Sequence, residues 1–128
     1  MNNRISAKER GLIKGALRRV FSRSDLRRKA LEMSVVQYID PNRIRVKRWS
    51  ICPLCKRYVP TYKMQVDHQI PVVGIDETLE DMSWDLLIDR LWCDPNNLLA
   101  ICEEDHKQKT RQERKQRVQY KKEKKKNE

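Results

Sequence analysis

Apolar residues recur at helical spacing near the start of the chain. Leu12, Ile13, Ala16, Leu17 and Val20 predict an amphipathic helix. Ser6, with Glu9 three residues on, makes a capping-box pattern that places the helix start. Arg10, Lys14, Arg18 and Arg19 fall largely on the other side, so the expected helix has an apolar core face and a basic outer face. Residues 22–24 break it. A second helix is expected from Asp25 to about Ser34, with the acidic side chain at the positive end of the helix dipole. Pro41 and Asn42 mark a turn, and the basic residues 43–50 alternate loosely up to Trp49. Cys52-Pro-Leu-Cys55 reads as a tight knuckle. Residues 64–73 read as a strand closed by Pro71, and residues 74–81 as loop. Ser83 is the expected N-cap of a short helix over 84–92, with Trp84, Leu87, Ile88 and Leu91 on one face. A turn at 94–96 leads into a short buried strand over 97–102. From Glu103 onward the chain is strongly helical and polar, anchored near His106 and Thr110; past residue 118 it lacks an apolar stripe and is expected to fray.

Charge adds a division that hydropathy does not show. Residues 1–50 carry 14 Lys and Arg against 4 Asp and Glu, residues 51–105 carry 4 against 11, and residues 106–128 carry 11 against 3. An acidic centre therefore lies between two basic arms. Basic arms suit a polyphosphate partner, because each cation at a phosphate releases condensed counterions. An acidic centre suits hard cations, which prefer oxygen ligands. The core is lean, with 38% hydrophobic and 37% charged residues, so a metal staple is expected. No apolar run has the form of a signal peptide or a membrane span, which leads to an expectation of a cytoplasmic protein without a membrane partner. In that compartment its four cysteines would more often hold metal than form disulfides.

The two histidines, His68 and His106, are the only ones in the chain. The order is Asp67-His68 on a strand, a second strand opened by Asn97, then a helix bearing His106. The segments VDHQIPV (66–72), NNLLAIC (96–102) and DHKQKT (105–110), in that order, resemble the ββα-metal core of HNH endonucleases. The CPLC knuckle (52–55) shares the resemblance. WDLLIDRLWC (84–93), with the basic N-terminal helices, is similar to a group of small phage-encoded HNH proteins. The overlap covers roughly residues 4–115.

The resemblance implies an α+β fold, with a ββα-metal core, N-terminal helices and a basic C-terminal helix. Residues 1–50 would form a basic helical arm packed on the core, 51–112 the nuclease core, and 113–128 a basic tail. It also implies a one-metal hydrolysis of DNA phosphodiesters that leaves a 5′ phosphate and a 3′ hydroxyl. His68 would be the general base, since a neutral imidazole can take a proton from water near neutral pH. Asp67 and His106 would hold the divalent cation, Mg2+ or Mn2+, with Ni2+ or Zn2+ compatible with the histidine ligand. Asn97 would either orient the base or join the metal shell. Neighbouring strand residues point to opposite faces, so a site using both Asp67 and His68 needs a strand end or bend there.

Cys52 and Cys55 have zinc-knuckle spacing. Many family members complete the knuckle with a second Cys-x2-Cys pair; here Cys102 is followed by Asp105 where that pair's second cysteine would stand. Aspartate can ligate zinc, so Cys52, Cys55, Cys102 and Asp105 form the expected structural Zn2+ set, with Cys93 as a possible substitute or simply a buried apolar residue. Trp49, Trp84 and Trp92 read as core or core-edge residues. Arg10, Lys14, Arg18, Lys107, Lys109 and Arg111 are the expected contacts to DNA phosphates. Two other readings are compatible: a non-cutting, zinc-stabilised module that binds DNA or a phage terminase or packaging partner, and an enzyme acting on RNA. In a phage-encoded protein the cytoplasm would be the host's.

Overall fold

The computed structural model describes residues 4–127. Helix α1 spans Ala7–Phe21 and α2 spans Asp25–Met33. The short strands β1 (Val35–Val36), β2 (Trp49–Ile51) and β3 (Tyr58–Pro60) form an antiparallel sheet in that order. Strand β4 (Met64–His68) and β5 (Leu98–Cys102) form a separate antiparallel pair, joined through α3 (Trp84–Leu91). Helix α4 (Glu103–Lys126) starts directly after β5 and packs on both strands of that pair. The fold is α+β. Among the described residues no helix is long and apolar enough to cross a membrane.

The helix starts follow local chemistry. The Ser6 hydroxyl accepts from the Glu9 amide at 3.1 Å and the Glu9 carboxylate reaches back to the Ser6 amide, the expected reciprocal cap. Ser24 and Ser83 cap α2 and α3 in the same way, through the amides of Arg27 and Leu86. The pleat of the β4–β5 pair is regular, with Met64 opposite Cys102 and His68 opposite Leu98. The expected strand over 64–73 therefore ends at His68. Beyond it the chain turns, because the Gln69 amide donates to the Asn97 carbonyl and the Asn97 side chain takes the Ile70 backbone.

The roll of α1 differs from the expectation. The side chains turned inward are Lys14, Leu17 and Phe21, while Leu12 is 64% exposed and Val20 56%. Lys14 is completely buried. Its ammonium donates to the carbonyls of Leu79 (2.8 Å), Glu80 (2.9 Å) and Met82, over the ring of Trp84. An ammonium has three protons, and all three are used. Burial lowers the Lys14 pKa, with Arg10 adding to the effect. Lys14 is thus a strut between α1 and the 79–82 turn, and cannot be the DNA contact its sequence position suggests.

Two other cations hold the rest of the long β4–α3 connection. Arg90 of α3 donates to the Val72 carbonyl and to Glu77, and Arg117 of α4 donates to the carbonyls of Val73 and Gly74. Irregular backbone that runs against a core needs such donors. The core has two parts. One gathers Phe21, Val72, Val73, Met82, Leu87, Leu91 and Leu98; the other gathers Cys52, Met64, Ala100, Ile101 and Cys102. Burying a leucine such as Leu87 or Leu91 contributes about 1.5–3 kcal/mol.

The three-stranded sheet has no counterpart in the sequence expectation; of the loosely alternating residues 43–50, only the last two lie in a strand, Trp49–Ile51. Helix α4 also continues past residue 118 instead of fraying. Its Lys, Arg, Gln and Glu residues are good helix formers, and Arg117 ties its middle to the Val73 and Gly74 carbonyls. The boundaries expected at 50/51 and 112/113 fall inside β2 and α4.

Candidate functional site

Two clusters carry the chemistry, one at each end of the β4–β5 pair. The first is built on the β2–β3 hairpin, whose turn is the Cys-x2-Cys knuckle. The Cys52 amide donates to the Arg57 carbonyl and the Lys56 amide to the Cys52 carbonyl, which folds both thiols to one side. The turn requires a left-handed residue, Lys56 with φ of 63°. Cys102, at the far end of β5, is the N-cap of α4, and Asp105 lies in that helix's first turn.

The ligand atoms of Cys52, Cys55, Cys102 and Asp105 all lie within 4.8 Å of one another. Cys55 and Cys102 sulfurs are 3.9 Å apart, and the Asp105 carboxylate is 3.1 Å from the sulfurs of both Cys52 and Cys102. A tetrahedral ion with bonds of about 2.3 Å to sulfur and about 2.0 Å to oxygen places its donors roughly 3.5–3.8 Å apart. The residues therefore fit a bound metal ion. Arg57 Nε donates to Cys55 at 3.3 Å and Nη2 to Glu104 at 2.7 Å, so a cation already faces the sulfurs. That bond lowers the Cys55 pKa, while burial pushes Cys102 up to about 12. Thiol donation, from Cys52 first, holds Asp105 below the ordinary carboxylate range. Cys93 takes no part, because it packs beside the Leu87–Leu91 core.

The second cluster lies at the opposite end of β4. The Asp67 side chain, 19% exposed, faces α4, where His106 Nε2 lies 3.8 Å from one carboxylate oxygen and the Lys109 ammonium bonds the other. Lys109 also donates to the His68 carbonyl at 3.0 Å and lies 3.5 Å from Glu113. Lys109 is therefore committed to the cluster instead of standing free as a phosphate contact. Its spacing from His106, one helical turn, was the signal for this in the sequence.

His68 is the last residue of β4, and its ring turns to the other face of the strand. It packs on Phe21 with ring centroids 4.9 Å apart, and Nε2 lies 2.9 Å from the Leu91 carbonyl. A carbonyl only accepts, so Nε2 is the donor here, and in a neutral ring the lone pair is then on Nδ1. The structure thus brings Asp67, His106 and Lys109 together and places the His68 ring across the strand end from them. Asn97 commits both of its amide groups to Ile70: Oδ1 accepts from the Ile70 amide at 2.8 Å and Nδ2 donates to its carbonyl at 3.3 Å. Those two bonds orient the turn after His68.

Of the other expected phosphate contacts, Arg18 and Arg111 are exposed, Lys107 pairs with Glu103 at 3.6 Å, and Arg10 is half-buried with a solvent-shielded Nε that makes no hydrogen bond. Nothing in the structure explains that orphan. Arg18 also lies at the edge of a cleft of about 420 Å³ between the 73–79 loop and α4, which Glu77, Thr110, Glu113, Arg114 and Arg117 line. Comparison with family models, curated proteins and solved structures finds no match for this chain.

Proposed function

We propose that this chain is a metal-dependent DNA endonuclease of the HNH type, stapled by a structural zinc. One observation carries the reading: Asp67 and His106 meet at the end of a strand whose last residue, His68, turns Nε2 to the Leu91 carbonyl, which would leave Nδ1 of the neutral ring to act as a base. The resemblance of residues 66–72, 96–102 and 105–110 to the HNH core adds to it.

Asp67 and His106 would hold a divalent ion, Mg2+ or Mn2+, with Ni2+ or Zn2+ as further candidates. Such an ion supplies Lewis acidity to the phosphate and to the leaving oxygen. Water and phosphate oxygens would complete its shell. The scissile phosphate would lie across the end of β4, with the cation side on one flank and His68 on the other. His68 Nδ1 would take a proton from the attacking water as its oxygen bonds to phosphorus and the P–O3′ bond breaks, and the departing 3′ oxygen would take a proton from solvent, leaving a 5′ phosphate and a 3′ hydroxyl. Leu91 fixes the ring, Asn97 fixes the turn that follows it, and Lys109 holds the Asp67 carboxylate. The Cys52, Cys55, Cys102 and Asp105 set would take Zn2+ and join the β2–β3 hairpin to α4.

The test is conversion of supercoiled plasmid in a series of Mg2+, Mn2+ and Ni2+, beside His68→Ala and Asp67→Ala. Metal-dependent nicking or cutting, lost in both variants, is expected. A folded wild-type preparation that leaves plasmid intact with every ion would refute it. A second reading is favoured by one observation, the Lys109 ammonium that already neutralises Asp67. On that reading the chain binds DNA, or a phage packaging partner, without cutting. DNA binding that His68→Ala leaves unchanged, with no turnover, would select it.

A further inference from the structure

Helix α4 has two unlike faces. His106, Lys109, Glu113 and Arg117 point to the core side and are half-buried. At about 100° per residue, Arg111, Lys115, Lys122 and Lys126 fall within an arc of about 60°, turned roughly 130–170° from His106, Lys109 and Glu113. All four are exposed, and Arg114 and Lys125 flank them. Among the described residues none of Arg111, Arg114, Lys115 or Lys122 has an ion-pair partner. Glu113 and Glu123 lie off this arc; Glu113 is taken by Lys109 and Glu123 by Gln119. Arg111–Lys115, Lys121–Lys125 and Lys122–Lys126 are like-charge pairs one turn apart, each unfavourable to the isolated helix. The chain keeps this self-repulsion along a face with no apolar anchor except the exposed Val118.

We propose that this outer face of α4 is a phosphate-binding rail for duplex DNA, distinct from the Asp67–His106 face. The inference rests on DNA being the partner. From Arg111 to Lys126 the rail is about 22 Å long at 1.5 Å per residue. Measured along the duplex axis, that spans six or seven base pairs at about 3.4 Å each. Single strands are gripped by stacking on aromatic rings, and this face carries none; Tyr120 lies on the other side. A straight rod of cations matches the duplex instead, and by reading phosphates it would set affinity without selecting sequence.

The test is the salt dependence of binding of the full chain to a labelled duplex, without added divalent metal so that no cleavage is required. The variant is Arg111→Gln/Lys115→Gln/Lys122→Gln, at exposed positions where glutamine keeps helix propensity. Each phosphate contact contributes about 0.9 to the slope of log K against log salt, so the slope should shallow by about 2.7. Affinity at 0.1 M salt should fall roughly 10²–10³-fold and converge on wild type as salt approaches 1 M. The charge-conserving variant Arg111→Lys/Lys115→Arg/Lys122→Arg should keep the wild-type slope. A Gln variant with wild-type slope overturns the rail. So does a slope change seen with single-stranded DNA but not with duplex. Because binding is read apart from turnover, failure of the plasmid assay leaves this result decisive on its own.

Discussion

Replacing Lys14 with methionine separates two arrangements of α1 that the sequence alone allows. In the structure the Lys14 ammonium satisfies the carbonyls of Leu79, Glu80 and Met82 and sits 5.3 Å from the Trp84 ring centroid. Methionine retains an apolar stem of similar length but removes all three donors. Each buried carbonyl left without a partner costs about 1–3 kcal/mol. The lost contact with the Trp84 ring adds about 0.5–1 kcal/mol. Against this, the variant no longer buries a charge, and water can reach the exposed Glu80. A net loss of about 3 kcal/mol follows, a factor of roughly 150 in the folded-to-unfolded ratio. Urea titration with excess zinc, followed by tryptophan fluorescence, measures it, and Trp84 lies beside the lesion. Leu12→Ser on the exposed side of the same helix should change stability by less than about 0.5 kcal/mol. If Leu12→Ser proved the more damaging of the two, α1 would be rolled as its apolar pattern suggests and the strut would not exist.

Other consequences can be measured separately. Lys56→Gly should stabilise the knuckle by roughly 1 kcal/mol in the same titration, since only glycine adopts positive φ without strain; a loss of stability would contradict the left-handed turn. Free zinc at a hundred times its dissociation constant should add about 2.7 kcal/mol to wild type and nothing to Cys55→Ser, read as a chelator-sensitive melting temperature. Melting that ignores both zinc and chelator would remove the metal from the account. The Arg90 hydrogen bond, helped by the Gly74 amide, lowers the Glu77 pKa. An acid with a depressed folded-state pKa contributes stability above its unfolded-state pKa and loses it as pH falls through the folded value. Wild type and Glu77→Gln should therefore differ most near neutral pH and converge as the solution is acidified below about pH 4. A gap that widens on acidification would reverse the sign.

The parts legible in the chain are those set by bonds between near neighbours. Ser6 with Glu9, Ser24 and Ser83 each satisfy an amide three residues away, so the helix starts could be read directly. The Cys-x2-Cys turn and the apolar run of β5 belong to the same class, whereas the union of Cys52 and Cys55 with Cys102 and Asp105, a long way down the chain, was implied by the family resemblance and is made by the fold. What could not be read depends on partners far along the chain. Lys14 meets carbonyls more than sixty residues away, and only that encounter makes a lysine a core residue while Leu12 stays in solvent. Lys109 and Asp67, or Asn97 and Ile70, are joined because β4 and β5 pair in one register and α4 follows without a break. Hydropathy ranks side chains by their transfer from water. It carries no record of which distant backbone groups will be waiting for a donor, and that demand turned α1 and assigned its cations.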